Sequence, residues 1–188
     1  MGKKNIGFGV QVFMSLYSLA ILGISTGIIN DKLYYKLYLE MQLTDNFTLE
    51  EMYQSPTAKR LGLDNKPNDD EINNLKELCI NVLQPLREAY GKPIIITSGY
   101  RSSRLNRAIG GAKNSEHIKG YAADIKASSK EETKKLFNLI KTLNLNFNQL
   151  INEYNYSWIH ISYNKNHNRN MILEAKKIKG RTVYQVSN

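Results

Sequence analysis

A chain of 188 residues is long enough to bury a core of its own and fits one domain with a modest extension. Its 41% hydrophobic and 23% charged residues are ordinary for a globular protein, and its single cysteine, Cys79, excludes an internal disulfide. The net charge of +9 predicts attraction to a polyanion, but the basic residues are scattered and accompany no nucleic-acid-binding motif. An anionic wall or membrane surface accounts for the charge as well as nucleic acid does, and no nucleic-acid partner is assigned.

From Asn5 to Asn30 there is no charged residue, and Lys3 and Lys4 precede this apolar run. About 20 apolar residues suffice to span a bilayer, and basic residues in front favour a cytoplasmic N-terminus. Gly7, Gly9, Gly23 and Gly27 argue against a buried soluble helix of this length. Residues 1–40 are therefore expected to be an apolar helical anchor or signal segment with a Tyr-rich connector, giving at most one membrane span. The folded domain is expected over 41–188.

Thr48 followed by Glu51 forms a capping box that opens a short helix. Asn68, Asp69 and Asp70 mark the start of a long helix to Tyr90, with Ile72, Leu75, Leu78, Val82, Leu83 and Leu86 on one buried face. Cys79 lies on that apolar side and reads as a small buried hydrophobe. Pro85 is expected to kink the helix near its end, and Gly91 and Pro93 to stop it. Ile94 to Thr97 reads as a central strand leading into the turn Ser98-Gly99-Tyr100-Arg101. A short helix over Ser103–Ala108 follows, then a strand over Ala122–Ala127. Ser129 and Glu132 form a second capping box before a helix to about Leu143. Strands at Gln149–Tyr154 and Trp158–Tyr163 precede a hairpin from Met171 to Val186 that turns near Gly180. The pattern is an α+β domain, an antiparallel sheet with flanking helices, without internal repeats.

Only three histidines are present. His117 lies in a polar, Gly-containing approach to a strand, and Asp124 follows seven residues later inside an otherwise apolar strand. A carboxylate there needs a cation or strong donors, because an unpaired buried charge is too costly. His160 alternates with Ile159 and Ile161 and so faces away from them. Two imidazoles and a carboxylate make a three-ligand zinc set with a fourth position for water. Taken singly, each residue reads as readily as a hydrogen-bonded core or surface group. His167, among Asn164, Asn166, Asn168 and Asn170, reads as a solvated loop residue.

The strings SGYRSSRLN, SEHIKGYAAD and WIHISY resemble the zinc D-alanyl-D-alanine carboxypeptidase family, whose metal motif is S-x-H-x-x-G-x-A-x-D followed by a later x-H. The likeness is to the family's small bacterial and phage branch and runs from Asn46 to about Tyr184. It implies a hedgehog-like α+β fold, with His117, Asp124 and His160 holding one zinc ion. It further implies an enzyme cleaving peptide bonds in peptidoglycan stem peptides, as a D-Ala-D-Ala carboxypeptidase or an endolysin-type endopeptidase; separately, the catalytic domain is expected to be monomeric. Such an enzyme works in the cell envelope or as a phage lytic protein.

Several relatives carry a catalytic glutamate three residues before the last histidine, where this chain has Ser157. Glu153 is the nearest replacement for a general base. A two- or four-residue loop after it would pair it with Trp158 and put it on the face of His160, whereas a three-residue loop would turn it away. Glu116 is a weaker alternative. Arg101, leaving a strand in a tight turn, is assigned by the resemblance to the oxyanion or to a substrate carboxylate, and Ser115 is a candidate to orient substrate or the His117 loop. Trp158 reads as packing that shields the metal. The Ser157 mismatch leaves a rival reading, a zinc-containing wall-binding module without turnover.

Overall fold

The computed structural model describes residues 41–187, so the expected apolar segment over 1–40 lies outside the described residues. Among the described residues no helix is long and apolar enough to cross a membrane. A two-stranded ribbon, β1 (Gln42–Thr44) and β2 (Phe47–Thr48), leads into α1 (Leu49–Tyr53). The Thr48–Glu51 capping box forms in both directions there. Next comes α2 (Pro56–Leu61), with Ser55 as its N-cap.

The long helix begins at α3 (Asp69–Leu78), where Asn68 and Glu71 form a capping box that the sequence marked only by its Asn-Asp-Asp start. The expected kink at Pro85 takes another form. A π-turn over Cys79–Leu83 joins α3 to α4 (Gln84–Tyr90), and Gln84 N–H donates to the carbonyl of Cys79 five residues back. Proline has no N–H and crowds the carbonyl four residues before it, and the wider turn just ahead of Pro85 accommodates that loss. The predicted face is buried in full, with Leu75, Leu78, Cys79, Val82, Leu83 and Leu86 at 0% exposure.

The chain then forms β3 (Ile95–Ser98), α5 (Ser103–Ala108), a 3-10 turn (Glu116–Lys119) and β4 (Ala122–Lys126). It continues through α6 (Lys130–Thr142), β5 (Gln149–Glu153), β6 (Trp158–Ser162), β7 (Met171–Ile178) and β8 (Arg181–Val186). Six strands make one sheet in the order β3-β4-β6-β5-β7-β8. The pairings are antiparallel except that β5 and β7 run parallel. Residues 163–170 permit this by crossing the start of β5, where Asn170 N–H donates to Phe147 O at 2.8 Å and Arg169 Nε–H to Asn148 Oδ1 at 2.8 Å. The asparagines of this crossing hold one another, Asn166 N–H donating to Asn164 Oδ1 and Asn164 N–H to Asn168 Oδ1, and His167 is exposed as expected.

Two expectations are corrected. The Ile-rich strand β3 is an edge rather than central, and its side chains alternate between faces, so that Ile95 is 44% exposed. Only half of the second capping box forms. Ser129 Oγ accepts from Glu132 N–H, while the Glu132 carboxylate accepts instead from Tyr90, Lys92 and Lys135, which ties the end of α4 to α6.

Alternation gives the sheet two unlike faces. Ala123, Ile125, Ile159 and Ile161 point one way and are wholly buried, and α6 packs against β4 and β6. Burying each isoleucine contributes roughly 1.5–3 kcal/mol, which fixes the register against a one-residue slip. Asp124 and His160 are thereby directed to the opposite face, together with Ile151, Glu153 and Trp158.

Candidate metal centre

Asp124 and His160 are direct cross-strand partners on β4 and β6, so the sheet itself brings two of the three expected ligands together. The third, His117, arrives on the 3-10 turn. Gly120 ends that turn at φ +73, and a Cβ there would lie 2.5 Å from the Glu71 carbonyl oxygen, so only glycine fits where the chain doubles back. His160 Nδ1 lies 3.0 Å from Asp124 Oδ1, His117 Nε2 lies 3.2 Å from the same oxygen, and the two nitrogens are 3.1 Å apart.

These atoms form a nearly equilateral triangle. Zinc bonds of about 2.0–2.2 Å in a tetrahedral site require ligand atoms roughly 3.3 Å apart, so the triangle has the size of one face of such a site. His117 Nδ1–H donates to Gly99 O at 2.6 Å, which leaves the Nε2 lone pair aimed at the other two groups. Burial pushes the His117 pKa down and so keeps the ring neutral. Burial opposes the charge on Asp124, but the two imidazoles outweigh it and hold the carboxyl well below its usual range. A neutral nitrogen lone pair, a second imidazole nitrogen and an ionised oxygen facing one point constitute a cation site. His117 is only 2% and Asp124 8% exposed, which leaves little access for water to replace the cation.

Arg101 holds the Asp124 carboxylate of the site. Its Nη2 donates to Asp124 Oδ2, the oxygen turned away from the imidazoles, and its Nε–H donates to Ser98 Oγ at 2.7 Å. Its backbone N–H donates to His117 O at 3.1 Å. Two guanidinium nitrogens are therefore committed to the protein, and Nη1 is the one without a hydrogen-bond partner among the described residues. The preceding turn is pinned by groups that the sequence reading overlooked. A Cβ at Gly99 would overlap the Met52 carbonyl oxygen, which accepts from Tyr100 N–H at 2.6 Å. Asn65, 7% exposed, donates to Tyr53 O and Tyr100 O and accepts from Ser102 N–H. Nothing in the loop sequence around Asn65 distinguishes it from its solvated neighbours.

Glu153 pairs with Trp158 across a loop of four residues, Tyr154 to Ser157, so it shares the face of His160. It is 7% exposed and its carboxylate has no hydrogen-bond partner among the described residues. Burial pushes its pKa up to about 7, with the Asp124 charge adding to the rise and His160 and Arg101 opposing it. Ser157 donates its hydroxyl to Tyr154 O and has no acid–base capacity there. Glu116 turns to Asn148, which donates to Oε1, and is not directed into the triangle. Ser115 caps no helix with its side chain and sits at the entry of the turn that carries His117. The Trp158 ring lies 5.2 Å from that of Tyr154, beside Glu153.

The family profile described as peptidase M15 matches residues 45–162, which include every one of these groups. The chain belongs to the peptidase M15 family. A zinc D-Ala-D-Ala carboxypeptidase from Streptomyces albus G is 34% identical over 125 residues, covering 64% of this chain and 46% of the relative. This M15 chain thus spans about half the length of the curated relative that it matches. The mixed α+β architecture, with a mainly antiparallel sheet and flanking helices, is that of an M15 peptidase. The set His117, Asp124 and His160 is a group of metal-binding type whose donors, two nitrogens and one oxygen, suit zinc.

Proposed function

We propose that this protein is a zinc-dependent peptidase of peptidoglycan stem peptides, acting as a D-Ala-D-Ala carboxypeptidase or an endopeptidase. The observation that carries the reading is the triangle of His117 Nε2, Asp124 Oδ1 and His160 Nδ1 beside an unpaired, protonatable Glu153. His117, Asp124 and His160 would hold one zinc ion, which supplies water of lowered pKa and a polarised scissile carbonyl.

The chain's own groups then divide the remaining work. Glu153 accepts the proton of the attacking water and returns it to the leaving amine, tasks suited to a carboxyl that titrates near neutrality. Arg101 keeps the second oxygen of Asp124 occupied, so that the first stays on the imidazole side, and Nη1 is left to meet a substrate oxygen. Ser115, whose side chain caps nothing at the entry of the turn that bears His117, is left to orient the substrate. The +9 charge favours association with an anionic wall, so the site of action is the cell envelope, reached either by a cellular enzyme or by a phage lytic protein.

Ser157, at the place of the expected glutamate, supports a second reading: a wall-binding module that keeps zinc without turnover. Metal analysis and hydrolysis of a Lys-D-Ala-D-Ala stem peptide and of purified muropeptides separate the two. The peptidase should hold one zinc, lose it in His117→Ala, Asp124→Ala and His160→Ala, and release product detectable by mass spectrometry. Equal zinc in all four proteins rules out the proposed site. Bound zinc without product, unchanged by Glu153→Gln, selects the binding module.

A further inference from the structure

The family match ends at residue 162, but β7 and β8 extend the same sheet beyond Glu153. The register aligns Trp158, Glu153, Ala175 and Tyr184 in one cross-strand row, and partners in such a row project from the same face. Strands lie about 4.8 Å apart, so the backbones of Glu153 and Tyr184 are separated by about 10 Å, with only the Ala175 methyl between them. A tyrosine is long enough to lean across most of that gap. The register therefore puts Tyr184 two strands beyond Glu153, on the face that carries the metal centre.

Tyr184 is 53% exposed and its hydroxyl has no hydrogen-bond partner among the described residues. Its neighbour Tyr154 is different, since its hydroxyl bonds Thr182 Oγ1 at 2.8 Å and its ring packs on Trp158. That bond, with Tyr154 N–H donating to Ala175 O, fastens the β5–β6 hairpin to β7 and β8. Tyr184 is therefore held in place by its strand while its polar end remains free for a ligand.

We infer that Tyr184 is a substrate-binding residue on the leaving-group side, donating its phenolic hydrogen to an oxygen of the first residue released. This rests on the peptidase reading for its direction: a base that protonates the leaving amine faces the departing segment. Along the sheet, the triangle lies on β4 and β6, Glu153 on β5, and Tyr184 farther out on β8. Burial, then Glu153, Tyr154 and Asp124, raise the phenol's pKa, so it remains a donor at neutral pH.

The test uses the full chain as wild type, Tyr184→Phe and Tyr184→Ala. The probes are N-acetyl-Lys-D-Ala-D-Ala as free acid and as C-terminal amide. Hydrolysis is measured on zinc-loaded protein and peptide binding on metal-free protein by NMR titration. Tyr184→Phe should raise both KM and the peptide Kd about five- to tenfold, the effect of one lost hydrogen bond, with kcat within twofold. Thermal midpoint and zinc content should not change. Equal losses on acid and amide identify a carbonyl acceptor, and a loss confined to the acid identifies a carboxylate. Weakened binding in Tyr184→Phe without hydrolysis by wild type keeps Tyr184 as a peptide-binding residue but overturns both the peptidase reading and the leaving-group side. KM and Kd within twofold of wild type in both variants, or a wild type that neither binds nor cleaves either peptide, overturn the assignment.

Discussion

Replacing Glu153 with glutamine should stabilise the metal-free protein at alkaline pH while abolishing turnover. In the folded chain its carboxyl titrates near 7, against an ordinary 4.5, because burial disfavours the charge. The folded state therefore binds this proton more tightly than the unfolded state does. The stabilisation is fully present below 4.5 and is lost as pH rises through 7. The full shift corresponds to about 3 kcal/mol, and between pH 5 and pH 8 the wild type loses about 2–3 kcal/mol that Glu153→Gln retains. Urea unfolding in the presence of a chelator measures it. With a slope of roughly 2 kcal/mol per molar, the variant's midpoint should exceed that of wild type by about 1.5 M at pH 8 and by only about 0.4 M at pH 5. His117 has the opposite trend, its pKa being lowered, but it contributes equally to both proteins and cancels in the difference. Midpoints that stay parallel from pH 5 to 8 would refute the claim that Glu153 is a buried, unpaired carboxyl.

Gly120→Ala should cost about 2–4 kcal/mol, because the new Cβ meets a positive φ and the Glu71 carbonyl together, and it should weaken zinc binding in a competition assay with a chromophoric chelator. Asn155→Gly should raise stability by about 0.5–1 kcal/mol in thermal unfolding, since Tyr154, Asn155 and Tyr156 are three successive left-handed residues and Asn155 is the exposed one. The Cys79 thiol, wholly buried and pushed up in pKa, should react with a thiol reagent no faster than the protein unfolds, as followed by mass spectrometry.

Periodicity made most of the fold legible. The buried stripe from Ile72 to Leu86 and the alternation around His160 correspond to the observed helix and strand, because each pattern reports one covered face. Position within the sheet was not legible in the same way. The run Ile94–Thr97 has the composition of a central strand, yet tertiary placement leaves Ile95 at an edge. The crossing over β5 also escaped the reading, since the asparagines from Asn164 to Asn170 signal a loop without saying that it reverses the order of two strands. In the site, cost singled out the Asp124 carboxylate in its apolar strand, but His117, Asp124 and His160 each read singly as an ordinary core or surface group, and only the family motif joined them into one candidate ligand set. Parity restricted Glu153 to two faces, and the four-residue loop selects the one it shares with His160. Asn65 and Ser98 support the site through side-chain hydrogen bonds and Gly99 through its carbonyl, roles set by tertiary placement that residue type alone does not mark.

The unequal anchoring of the three donors has a kinetic consequence. Asp124 and His160 sit in mutually paired strands, whereas His117 rides on a single 3-10 turn tied down through Gly99, Arg101 and Gly120. Ion release should then proceed by swinging that turn aside, with the strands acting as a stationary jaw. Amide hydrogen exchange should quicken around residues 116–120 on chelation and stay slow in β4 and β6, so the rate at which the ion leaves is set by a few residues of chain rather than by the stability of the whole domain.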